Sequence, residues 1–536
     1  MDIHNSKVLT ILFLYFISTL LSQNCFSLGI DTHFLPPSES YSKSLYGATV
    51  IEGMPISKLE SVPHPIYTHL SSVGKKYYLL EKNNYFKAMR VAEREDLDID
   101  SELIFSETPL EYNGSYFFVG EMIFEEAEGI RLAIDFSKFG ENDLLWLYVP
   151  GSDSLFGPFP MLNTGKPLTE YWLPTIEGNN VILIAKTRSS SFPLIRVVAY
   201  MFYFARLDML VKSLPCPLSV ACVDDGEFQK VSTGIGRLLI RAKEGEILCT
   251  GTLINDGFTT HKNYFITANH CFDGYKIYWE DLEVIWDYRC EDCSNEKCPS
   301  LNDTLRSEGA ESVAMSECLD TYLIRIVNEV PVGQYGRAYA GWDTAEVTEG
   351  SVIYGAHHPE GKLMMAVIGK VDRVDVGACR DAFCSAMTYH TNEILWTEGI
   401  TDFGSSGAGI FCKDFNFKLV GMLSSGPKHN CIDRSNNYDY IASFRYFFPL
   451  IKCYLVPNEK CEETADCESG CLMKSLFYPE TNTLEFFRFL RDRFFSATEL
   501  GRKFIKFYYS NSPRWIEELD KQEHLKKQLK QIFSSY

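Results

Sequence analysis

No cysteine lies between Cys25 and Cys216, and the other sixteen fall from Cys216 to Cys471. A disulfide framework is therefore excluded from the long N-terminal stretch and concentrated downstream. Positive charge is also short: 51 Lys and Arg against 71 Asp and Glu leave a net charge of −20. With no basic patch to track phosphates, a nucleic-acid partner is excluded and solubility is favoured. Long apolar runs are scarce too. The clearest, Val8 to Leu21, is well short of the roughly 20 residues that a membrane span needs. It follows Lys7 and precedes Cys25-Phe26-Ser27, a pattern that predicts an export signal over residues 1–27 rather than an uncleaved anchor. From Gly234 to Tyr454 helical periodicity is missing, which leaves short strands between turns.

What is present is ample core material: 46% hydrophobic and 14% aromatic residues in 536, too long a chain for one core. In an exported chain the clustered cysteines predict disulfides. The group Cys290-x-x-Cys293-x-x-x-x-Cys298 would suit zinc in a reducing compartment; here disulfides are expected, with no metal and no cofactor.

Organisation follows from composition and turn signals. The runs Tyr116–Val119, Gly129–Ile134, Leu144–Val149 and Val181–Ala185 are β-rich and separated by Gly-Ser-Asp and Glu-Gly-Asn-Asn turns, which predicts an antiparallel β-sandwich over residues 28–212. A boundary is expected at Lys212-Ser213, just before Cys216. Residues 213–456 form the strand-rich, cysteine-rich unit. Residues 457–536 change character: Asn482-Thr483-Leu484-Glu485 and Ser496-Ala497-Thr498-Glu499 are capping boxes and Ser512-Pro513 is a helix start, so a small helical tail is expected.

Three segments of the middle unit carry chemistry. In Asp402-Phe403-Gly404-Ser405-Ser406-Gly407-Ala408-Gly409 a serine sits between glycines, a nucleophile only if a base takes its proton and a third group orients that base. The base candidate is His270, at the end of the run Tyr264-Phe265-Ile266-Thr267. The orienting candidate is Asp320, ahead of the strand Thr321–Ile326, with Asp343 and Asp402 as competing acids. The order His, Asp, Ser is that of chymotrypsin-type enzymes among common triad folds. A glycine-rich serine loop alone is usually a turn, and a lone histidine usually structural. The adjacent His357 and His358 point to opposite faces of a strand, which disfavours a shared metal.

Taken together, Cys249-Thr250-Gly251-Thr252-Leu253-Ile254, Thr267-Ala268-Asn269-His270-Cys271 and Gly404-Ser405-Ser406-Gly407 resemble the hallmarks of chymotrypsin-fold serine endopeptidases. Gly-Ser-Ser-Gly, with Ala340-Gly341-Trp342-Asp343 and Gly355-Ala356-His357-His358-Pro359, is similar to the bacterial lysyl endopeptidase branch, over about Cys216 to Cys453. The resemblance, which Phe156-Gly157-Pro158-Phe159 and Trp172-Leu173-Pro174 extend upstream, implies a mainly β protein: an N-terminal β-sandwich acting as a pro-domain, with a permanently attached β-domain as the alternative, two six-stranded barrels with the site at their junction, and a small α-helical tail. It implies catalysis by His270, Asp320 and Ser406, with the N–H groups of Gly404 and Ser406 receiving the oxyanion. It implies a Cys249–Cys271 disulfide, a bond from Cys216 to a late cysteine, Cys431, and one from Cys222 to Cys290, Cys293 or Cys298. The tail, with Leu490–Phe494 and Phe507-Tyr508-Tyr509, is similar to the CFI-box region of exported bacterial proteins; two readings stand for it, a helix set that docks a cell-surface partner and an amphipathic bundle that caps the protease.

Specificity departs from that pattern. Where lysine-specific members carry an aspartate, Asn436 stands, and Ile400, six residues before Ser406, supplies no acid. A neutral amide does not offset the burial of an ammonium. Asp433 or Asp439 could reach in, so a basic preference stays open, and Ser425-Gly426 offers an edge for an extended substrate. The expectation is an exported, monomeric serine endopeptidase acting on proteins or peptides. Its alternative is a silent protease-like binding module or adhesin, which usually loses a triad member.

Overall fold

The computed structural model describes residues 28–37, 50–51, 53–71, 89–152, 154–161, 165–204, 217–243, 245–258, 262–379, 387–427, 429–431, 434 and 437–462. The expected export signal, the boundary at 212–213 and the helical tail lie outside them.

Alternating β-branched and aromatic residues build two closed barrels. In the first, Ile235–Arg241 pairs with Gly245–Leu253, which pairs with Tyr264–Thr267, then Thr321–Ile326 and Ala310–Ser316. Glu283–Trp286 joins Leu305–Glu308 to Ile235–Arg241. Gly309, at φ +77°, bends the chain between Leu305–Glu308 and Ala310–Ser316, so the two short strands turn the corner that closes the barrel. Leu238, Phe265, Val284, Trp286 and Ile324 fill its interior. The second barrel runs through Val352–His357, Met365–Cys379, Met387–Glu398, Tyr438–Ser443, Lys418–Ser425 and Gly409–Cys412, and back to Val352–His357. Helix Phe444–Leu455 then packs Phe444, Phe447 and Ile451 beside Trp342, and Cys453–Cys461 ties its end.

The N-terminal region is a β-sandwich. One sheet contains Ser115–Glu125, Asn180–Thr187, Leu144–Val149, Ser154–Phe159 and Ile66–Leu70; the other contains Met89–Asp100, Arg196–Tyr203 and Gly129–Asp135. Phe118, Leu132, Leu147, Leu183 and Tyr200 meet between them. The second sheet does not end at the sandwich. Met89–Asp100 also pairs with Gly245–Leu253, so one 12-stranded sheet runs from the sandwich into the first barrel.

Where these two bodies meet, Asp281 is buried with Lys166 Nζ 3.9 Å away, and burial pushes its carboxyl up to about 6 from an ordinary 3.8. The folded protein thus holds this proton more tightly than the unfolded chain. Its contribution to stability is complete below about pH 4 and is lost as pH rises through about 6. Asp281→Asn is expected to raise stability by about 1–3 kcal/mol near neutral pH and to make little difference near pH 4. Denaturant unfolding of both proteins across that range checks the sign; a variant less stable at neutral pH would mean the Lys166 attraction outweighs burial.

Candidate active site

Strand pairing brings the base and the acid together. Tyr264–Thr267 lies antiparallel to Thr321–Ile326 with Thr267 opposite Tyr322, so the turns carrying His270 and Asp320 emerge at the same end. His270 sits in the short turn Asn269–Cys271, anchored by the Cys249–Cys271 disulfide at S–S 2.04 Å. Asp320 adopts φ +53°, a left-handed conformation that aspartate tolerates better than most residues.

The Asp320 carboxylate is fully buried. It accepts the His270 backbone N–H at 2.9 Å, faces His270 Nδ1 at 2.9 and 3.0 Å, and accepts the Ser424 hydroxyl at 2.5 Å. A carboxylate can only accept, so the ring proton lies on Nδ1 and Nε2 keeps its lone pair. That lone pair faces Ser406 Oγ at 2.7 Å. The hydroxyl therefore donates to the imidazole, the geometry in which a base can remove its proton.

The serine loop is shaped by glycine and clamped by the first barrel. Gly404 has φ +86° and Gly407 φ +82°; a Cβ at 407 would lie 2.0 Å from Thr267 Oγ1, so neither position accepts a side chain without strain. Thr250, on strand Gly245–Leu253, donates its N–H to Ser406 O and its hydroxyl to Gly404 O, both at 2.8 Å. Among the described residues the N–H groups of Gly404 and Ser406 meet no acceptor. Two unspent donors beside the nucleophile can receive a developing negative charge.

The paired histidines face different partners. His357 Nδ1 lies 2.8 Å from Ser405 Oγ, which also accepts the Asp402 N–H at 3.1 Å. Either atom of the His357–Ser405 pair can be the donor, and the bond braces the loop from behind. His358 Nδ1 donates to Lys362 O at 3.0 Å, and burial pushes its pKa down to about 3.

A second buried carboxylate lies beside the segment that leads into the serine loop. Asp439, fully buried, lies between Thr401, five residues before the nucleophile, and Gly426, two residues after Ser424. Its Oδ2 accepts Trp396 Nε1 at 2.7 Å and Thr401 Oγ1 at 2.5 Å, and its Oδ1 is 3.2 Å from His429 Nε2. His429 Nδ1 accepts the Thr401 N–H at 3.1 Å, so this imidazole is neutral with its proton on Nε2. Trp396, Thr401 and His429 thus all address the Asp439 carboxylate. Asn436 and Asp433 lie outside the described residues; Ile400 precedes Thr401 and Ser425 precedes Gly426 along the same two segments.

Of the other cysteines, Cys222 is bonded to Cys293 and Cys290 to Cys298. Cys431 is disulfide-bonded, while Cys216 lies outside the described residues. Ser424 and the clamping role of Thr250 had no signal in the sequence, since each acts across more than 100 positions. The competing acids lie elsewhere: Asp343 accepts the Ala345 N–H and Asp402 the Phe403 N–H, each at 2.8 Å.

The lysyl endopeptidase C-terminal domain family matches residues 210–442. Lysyl endopeptidase from Pseudomonas aeruginosa is 26% identical over 348 residues, spanning 61% of this chain and 72% of that protein. Among solved structures, the active form of the Rv3671c protease from M. tuberculosis is 12% identical, with a TM-score of 0.31 over 48% of this chain and 96% of that one. The HtrA-type protease AlgW with a tripeptide is 13% identical, with a TM-score of 0.30 over 43% and 62%. From the domain match and the curated relative, read with the two barrels, the chain is a serine endopeptidase of the chymotrypsin fold.

Proposed function

We propose that this chain is an exported endopeptidase made as a precursor and cut near Lys212-Ser213, in which His270, Asp320 and Ser406 hydrolyse peptide bonds through an acyl-enzyme. The observation that carries it is the 2.7 Å contact from His270 Nε2 to Ser406 Oγ in a chain of hydrogen bonds ending on a buried carboxylate. His270 takes the serine proton as Oγ attacks the carbonyl, then returns a proton to the leaving amine. Asp320 holds the tautomer and stabilises the imidazolium, while the N–H groups of Gly404 and Ser406 receive the oxyanion. The expected signal over 1–27 and the disulfides, which persist in oxidising compartments, support export. Residues 457–536 are proposed to dock a cell-surface partner, with the enzyme itself a monomer.

The substrate class is peptides with a basic residue before the cut bond, the preference of the related lysyl endopeptidase. Asp439 supports this: it is a fully buried carboxylate between Thr401 and Gly426, and a substrate cation brought to these two residues would lie beside its negative charge. Cleavage-site mapping on a complex peptide mixture is expected to find Lys or Arg before the cut. Asp439→Asn should lower kcat/KM for such substrates by on the order of 10²–10³-fold, because a buried cation would lose its paired charge. Cuts after large apolar residues would remove Asp439 from this role and leave the mechanism standing.

A further inference from the structure

The N-terminal region and the protease barrels share a sheet, an apolar core and a set of buried charges. Gly245 pairs with Glu93, Glu246 with Ala92, Ile247 with Arg90 and Leu248 with Met89, so the half of Gly245–Leu253 that extends past Tyr264–Thr267 is covered by a strand of the N-terminal region. Beneath that junction one apolar cluster takes Val91, Trp172 and Tyr203 from one side and Leu239, Leu248 and Ile285 from the other, all 1% exposed or less. Separation would open this cluster to water on both faces.

The charges interlock in both directions. Arg131 Nη1 donates to Glu246 Oε1 at 2.7 Å and its Nη2 lies 3.9 Å from Glu283 Oε1, with all three side chains shielded from solvent. Lys166 Nζ, equally buried, reaches Glu308 Oε2 at 2.6 Å. In return Arg241 reaches Glu170 at 3.0 Å, and Arg306 donates to the Thr175 carbonyl. These pairs fix how the two bodies register, while the apolar cluster carries the attachment, since separation would return the charges to water. On the far side of the protease, residues 28–35 form a second attachment: Gly29–Ile30 pairs with Trp342–Asp343 and His33–Leu35 with Arg337–Tyr339, the segment joining the barrels. A cavity of about 900 Å³ lies in the seam, between Glu177 and Gly178 on one side and Tyr288, Leu363 and Met365 on the other.

The same strand that receives the N-terminal region leads to the nucleophile. Leu248, paired to Met89, lies 2.9 Å from where a Gly404 Cβ would stand, and two residues on Thr250 clamps Gly404 and Ser406. We propose that residues 28–204 are a lasting part of the working enzyme, which stays seated after any cut between Phe204 and Pro217 and holds the nucleophile loop in place through strand Gly245–Leu253. Leu248 and Thr250 are then positioning residues, and processing changes the chain count without shedding the sandwich.

The test uses the full chain with a long flexible insert carrying a site-specific protease sequence after Phe204. In the Ser406→Ala background the cut protein is expected to show two fragments on a denaturing gel and one peak on size exclusion at neutral pH and moderate salt. With Ser406 intact, the cut enzyme should react with a fluorophosphonate at the rate of the uncut chain. Gly245→Val places a methyl-bearing carbon where a Cβ would be 2.0 Å from Ala92 O, and should weaken fragment association about tenfold or more and slow labelling in parallel. Fragments that elute apart, with the protease fragment remaining soluble, would overturn the proposal. So would full-rate labelling by a protease fragment separated from residues 28–204. The labelling arm rests on Ser406 being the nucleophile and the elution arm does not, so an unlabelled uncut chain faults that assignment alone.

Discussion

Ser406→Ala is expected to lower kcat for peptide hydrolysis by on the order of 10⁶-fold, the scale seen when a triad nucleophile is removed. The residual rate should stay above that in water, because the oxyanion donors and the substrate site remain. The substitution deletes one buried oxygen whose described partner is His270 Nε2, so the fold should survive with unchanged circular dichroism. Intact mass spectrometry after fluorophosphonate treatment makes the assignment direct: a single adduct on the wild-type chain, none on the variant. Comparable hydrolysis by Ser406→Ala would end the mechanism proposed here.

Asp320→Asn should cost about 10⁴ in kcat, through the proton rather than through the fold. An amide offers one acceptor oxygen where the carboxylate offers two, yet the His270 N–H, the His270 ring and the Ser424 hydroxyl all address this side chain. Turning the amide nitrogen toward the imidazole makes Nδ1 an acceptor and moves its proton to Nε2, where it opposes the Ser406 hydroxyl. KM should change far less than kcat, since nothing that touches substrate is altered. Asp343→Asn, at the acid hydrogen-bonded to Ala345 N, is the matched control and should retain activity. Equal losses in both variants would mean that general destabilisation, not tautomer control, accounts for the effect.

The candidate triad was legible because each member sits in a local pattern with a physical cause. Glycines flank Ser406 because the loop needs positive φ at 404 and 407; a β-branched run ends just before His270 because a strand ends there. The barrels were legible for a similar reason, since period-two apolar runs between turns leave few other ways to bury both faces. The carboxylate was legible less directly. Asp320 was one of several acids, and what singles it out is the register between Tyr264–Thr267 and Thr321–Ile326.

The sequence by itself determined the local chemistry: which residues can turn, which can pair as strands, which serine is free of neighbouring bulk, and where sulfur is concentrated. Only the tertiary structure decided that Ser424 donates to Asp320 across 104 positions, that Asp439 reaches Thr401 across 38, and that a strand at Met89–Asp100 covers half of Gly245–Leu253. The reason is the range of the information. Backbone propensity and periodicity act over a few residues. Register between distant strands is chosen by the burial of whole faces at once, and any one-residue slip would reverse every side chain involved.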